Sequence, residues 1–119
     1  MGKKFDVKIT VESIAEPCNS GMQVGDTCYC ERKGGYGLRM RGTDGWCPEL
    51  LNSVMPALSA MAFGGSLPWE DADGKALSAC PDPHCRVVAS VQKIGESEPT
   101  KKDLEREAAK LVKEDPEQS

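Results

Sequence analysis

The sequence predicts an α+β domain: a small antiparallel sheet, one kinked central helix and an added C-terminal amphipathic helix. Three observations carry that prediction. Residues 5–12 alternate apolar and polar side chains without error, the pattern of a half-buried strand. Residues 47–63 repeat apolar side chains at helical spacing, and residues 97–119 turn abruptly into a charged segment with one apolar stripe. At 119 residues the chain is one domain's worth. With 12 glycines, 8 prolines and 5% aromatics, its core is thin and its turns are many. Such a domain gains from metal or thiol cross-links.

The elements follow in order. In KFDVKITVES, Phe5, Val7, Ile9 and Val11 share one face and Asp6, Lys8, Thr10 and Glu12 the other. EPCNSG breaks the strand with turn formers. A turn at Gly25-Asp26 leads into a short strand, on which Cys28 and Cys30 share a face opposite Tyr29. GGYGLRMRGTDGW reads as an exposed glycine-rich loop. The central helix opens at Pro48, where a missing donor costs nothing. Leu50, Leu51, Val54, Leu58 and Met61 form its buried stripe. Pro56 is expected to kink it or end its first half. Gly64 and Gly65 close it, ahead of a solvated loop whose Trp69 caps the core. KALSACP and RVVASVQKI form a hairpin through a tight DPH connection. Thr100 and Asp103 resemble a capping box at the start of the last helix, whose stripe is Leu104, Ala108, Leu111 and Val112. Residues 1–96 thus make a small cysteine-motif domain, and 97–119 a helix with a frayed acidic tail.

A formal charge of −4 argues against nucleic acid and anionic lipid as partners, which leaves another protein. No apolar run spans a bilayer, no secretory signal is legible, and Gly2 lacks the hydroxyl residue that a myristoylation motif needs at position 6. The expected location is the cytoplasm, where cysteines serve metal or redox chemistry more than disulfides.

The cysteines stand at 18, 28, 30, 47, 80 and 85, with the single histidine, His84, beside the last. No CxxC occurs, so the usual spacings of zinc ribbons, thioredoxin-like sites and ferredoxin clusters are absent. Cys18, Cys47 and Cys80 each sit at a break between elements. Cys47, just ahead of a helix, is placed where the helix dipole favours a thiolate.

The segments PCNSGMQVGD, WCPELL, GGSLPWEDAD and CPDP…VV, in that order, resemble a family of small prokaryotic proteins with no established activity. The resemblance covers most of residues 5–94. It places Cys18, Cys47 and Cys80 on motif positions and leaves Cys28, Cys30, Cys85 and His84 off them. The helix after Glu96 lies beyond the family's usual end.

Three cysteines from three segments suggest a thiolate site for zinc, copper(I) or an iron–sulfur cluster, with Cys85, His84, water or a partner's residue as the fourth ligand. That makes the chain an accessory or electron-transfer module. The alternatives are a redox thiol at Cys47 with Cys18 or Cys80 resolving it, and an interaction module whose cysteines are buried hydrophobes or disulfides. Cys28 and Cys30 suit strand packing better than ligation. His84 in a turn suits solvation better than acid–base work. Glu70, Asp71 and Asp73 suit a solvated turn better than a hard-cation site.

Overall fold

Phe5–Ser13 forms β1, and its alternation is resolved as expected: Val7, Ile9 and Val11 are fully buried. The computed structural model describes residues 3–17, 21–33 and 37–113, with side chains described as far as Leu111. Within them follow β2 (Thr27–Glu31), β3 (Arg39–Arg41), α1 (Pro48–Ala62), β4 (Lys75–Ala79), β5 (Val88–Glu96) and α2 (Lys101–Lys113). The strands make one antiparallel sheet in the order β3-β2-β1-β5-β4. β1 is central, with β2 and β5 on either side.

Register places Ile9 opposite Cys28 on one side and Val91 on the other, with Ala76 beyond Val91. All four are buried, and this row is the floor against which α1 packs. Leu50, Val54, Leu58 and Met61 are the helix's answering stripe. The opposite sheet face is polar: Lys8 is flanked by Tyr29 and Gln92, with Arg41 and Lys75 one strand further out.

α1 is one uninterrupted helix from Pro48 to Ala62, so Pro56 does not end its first half. Pro56 lacks the N–H that Asn52's carbonyl would take, but both residues are exposed and water can satisfy the carbonyl. The helix ends in a Schellman motif: Gly65 N–H donates to Ala60 O at 2.8 Å and Gly64 N–H to Met61 O at 3.0 Å. Gly64 has φ +90°, and a Cβ there would meet the Lys3 carbonyl oxygen at 2.3 Å. No basic residue occupies the helix's last turn. Arg32, buried at the end of β2, supplies that cation from outside. Its Nη1 donates to Ala62 O at 3.1 Å, and its guanidinium lies over the Phe63 ring.

Three expectations need correction. Residues 39–41 are not loop but the edge strand β3, paired with β2; three residues, two of them Arg, carry too little apolar periodicity to announce a strand. Trp69 does not cap the core: it is 58% exposed, and Trp46, just before α1, is the buried tryptophan. The β4–β5 hairpin forms, but its connection is residues 80–87 rather than a tight turn, since Ala79 pairs with Val88.

The start of α2 bears out the capping box. Asp103 N–H donates to Thr100 Oγ1 and Thr100 N–H to Asp103 Oδ2, each at 3.0 Å. Lys4 adds an ion pair to Asp103 and ties α2 to the start of β1. Leu104 and Leu111 of the apolar stripe remain exposed. No helix among the described residues is long and apolar enough to cross a membrane.

Candidate cysteine site

The architecture sorts the cysteines into two groups. Cys28 and Cys30 point into the core from β2 and are fully buried. Burial, and then each other's proximity, pushes the Cys28 thiol up to about 12. Burial likewise raises Cys30. Neither is a thiolate at neutral pH, so both act as small core hydrophobes.

Of the others, the described Cys47, Cys80 and Cys85 lie toward one end of the sheet. α1 runs from Cys47 toward the Lys3 end, so its N-terminus lies where β1 and β4 finish and β5 begins. Cys47 is half-buried at the N-cap, and its side chain makes no capping hydrogen bond. Its amide donates instead to the sulfur of buried Met22 at 3.4 Å. Cys80 is half-buried just past β4, its amide bonded to Val87 O at 2.8 Å. Cys47 and Cys80 both pack against the main core cluster.

Cys85 is buried and ties this end together. Its carbonyl accepts from Ala15 and Glu16, at 2.9 and 3.3 Å. Its Sγ donates to the Pro17 carbonyl at 3.6 Å. The 80–87 connection is thereby fastened to the segment that enters Cys18. The turn itself is built on Asp82, whose Oδ1 accepts from the amides of His84 at 2.8 Å and Cys85 at 3.4 Å. The His84 amide leads in holding the Asp82 carboxyl below its ordinary range. Arg86 closes the turn at φ 47°, with its amide bonded to Asp82 O. His84 is exposed.

Cys18 lies outside the described residues. Among the described residues no three His, Cys, Asp or Glu side chains meet as a group able to hold a metal ion, so Cys47, Cys80, Cys85 and His84 do not form a complete site by themselves. The acids after Trp69 serve the chain's own turns. Asp71 Oδ1 accepts from the amides of Asp73 and Lys75, and Glu70 accepts from the Leu67 amide. Met22 and Pro17, read in the sequence only as parts of PCNSGMQVGD and of the turn after β1, help shape the cysteine end. Both act through backbone-linked contacts across distant segments, which leave no sequence signal.

Comparison with protein-family models, curated proteins and solved structures finds no match. The four-motif resemblance therefore stands on its residues alone.

Proposed function

We propose that the chain is a small cytoplasmic thiol-site protein that binds a soft metal ion, zinc or an iron–sulfur cluster, through Cys18, Cys47 and Cys80, as an accessory or electron-transfer module. What supports the reading is convergence. Segments far apart in sequence bring the α1 N-terminus with Cys47, the end of β4 with Cys80, and the chain leading into Cys18 to one end of the sheet. Thiolate sets of this kind favour soft cations over magnesium or calcium. Cys85 is the reserve fourth ligand, since its sulfur already reaches the residue before Cys18. His84, exposed beside it, would need the turn to swing inward. The exposed α2 stripe is where a protein partner would be engaged.

The test is elemental analysis of protein purified without oxygen. Stoichiometric zinc or iron is expected, lost in Cys18→Ala, Cys47→Ala and Cys80→Ala and kept in Cys30→Ala. Metal-free protein under those conditions, or metal indifferent to all three substitutions, refutes the reading. A second reading rests on Cys47 at the N-cap of α1, where its side chain makes no capping hydrogen bond: a redox thiol. Rapid, selective alkylation of Cys47 in metal-free protein would favour it.

A further inference from the structure

The two edges of the sheet are defended differently. β3 closes one side with Arg39 and Arg41 around Met40, and charged side chains on an edge discourage a further strand. β4 closes the other side with KALSA. From Ala76 to Cys80 it carries no charge, and proline comes only at Pro81. Leu77 is 56% exposed, and Ala79 is exposed as well.

The hydrogen bonds of β4 show which backbone groups stay open. Cys80 N–H donates to Val87 O at 2.8 Å, continuing the register that pairs Ala76 with Val91 and Ser78 with Ala89. These residues turn their backbone groups toward β5, so Lys75, Leu77 and Ala79 turn theirs outward. Those of Lys75 are taken. Its N–H donates to Asp71 Oδ1 at 3.0 Å, and its carbonyl accepts from the Asp71 amide at 2.9 Å. Leu77 and Ala79 remain, and among the described residues neither has a backbone partner on the outer side. Their donors and acceptors are placed symmetrically about Ser78.

We propose that β4 pairs with β4 of a second copy of this chain, antiparallel across a two-fold axis at Ser78, so that the five-stranded sheet continues through the dimer. Leu77 of each copy then lies opposite Ala79 of the other, and each such pair exchanges both of its N–H···O bonds. On the open face each exposed leucine rests beside a small residue. The pairing stops at Lys75, whose outer side the Asp71 turn already fills. Opposite it the second copy reaches Pro81, which has no N–H to satisfy and where the chain bends. Charge favours the same direction. The segment entering β4 carries Glu70, Asp71 and Asp73 against Lys75, which is itself 3.6 Å from Glu12. The segment leaving it carries Asp82 and Arg86 on either side of His84. Parallel pairing would set two acidic entries together, whereas antiparallel pairing sets each beside the balanced exit of the other. The contact is short, which puts it among the small, reversible interfaces of under about 1,200 Å².

The test is sedimentation velocity of the full chain from about 10 μM to about 1 mM, with reductant present so that no intermolecular disulfide contributes. The sedimentation coefficient should climb from that of a monomer toward that of a dimer. Over the same range the Leu77 and Ala79 amides should gain protection from hydrogen exchange. Ala79→Pro removes an outward N–H and no bond to β5, and Leu77→Lys puts a charge on the edge. Each should abolish association while the circular dichroism stays that of the parent. If Ala79→Pro disturbs the fold, Leu77→Lys, made at an exposed side chain, decides alone. The proposal is overturned by a chain that stays monomeric at the highest concentration, by association that Leu77→Lys leaves unchanged, or by protection that grows elsewhere than at β4.

Discussion

Substituting Gly64 by alanine tests how the end of α1 is joined to the entry of β1. Gly64 closes α1 at φ +90°, and its missing side chain is what lets the Lys3 carbonyl approach. Two costs add in Gly64→Ala. Holding an L-residue in the left-handed region costs about 1–2 kcal/mol. A Cβ at 2.3 Å from a backbone oxygen must push β1's entry or the helix end apart by roughly an ångström, a form of overpacking that costs about 1–3 kcal/mol. The sum, about 2–5 kcal/mol, is a large share of the 5–15 kcal/mol typical of a domain. Gly25→Ala is the control. Gly25 has φ +95° with nothing within 4 Å of the added carbon, so only the conformational cost of about 1–2 kcal/mol applies. Urea unfolding followed by circular dichroism reads both as shifts in midpoint at constant slope. If Gly64→Ala costs no more than Gly25→Ala, the Lys3 contact is not a constraint and the reasoning fails.

Other consequences are as direct. Cys28 and Cys30 should resist iodoacetamide in metal-free native protein and react only on unfolding, while Cys47 and Cys80 are modified first; peptide mapping after timed alkylation checks this, and early labelling of Cys28 would contradict its placement. Cys28→Ser should cost about 1–3 kcal/mol by urea unfolding, because a hydroxyl would be buried on the apolar floor. The Lys4 ammonium, then the Thr100 amide, hold the Asp103 carboxyl well below its usual range. A depressed carboxylate adds stability above its unfolded pKa of about 3.9, lost as pH falls through the folded value. Amide exchange in α2 should therefore stay slow from neutral pH down to about pH 4 and quicken below it; Asp103→Asn should quicken it at neutral pH, and an unchanged helix would remove the ion pair from the account. Acrylamide should quench Trp69 readily and Trp46 hardly, so Trp69→Phe should leave fluorescence that is largely protected.

What was legible in the sequence was local. β1 announced itself because alternation is a property of neighbouring residues, and α1 because its stripe repeats within a few turns. The Thr100–Asp103 cap was readable from a three-residue spacing. β3 was not, since its existence depends on β2 offering hydrogen bonds to three residues with no apolar pattern. Trp46 and Trp69 could not be told apart, because burial depends on which side of the helix the loop passes. Arg32 looked like one charge in a run, yet it caps a helix end thirty residues away. The gathering of Cys47, Cys80 and Cys85 followed the same logic. Cys47 and Cys80 could each be placed at an element's end, but which ends coincide is decided by strand order. The ion pair between Glu31 and Arg41 was hidden because the two meet only after β3 folds back.

The place of β1 at the middle of the sheet has a bearing on synthesis. β1 cannot gain its second neighbour until residues 88–96, made well after it, are free of the ribosome. Until then one flank of Phe5–Ser13 stays open, with Val7, Ile9 and Val11 only partly shielded. Such distant pairings form slowly and expose sticky intermediates, so a nascent or truncated chain lacking β5 is a natural client for chaperones.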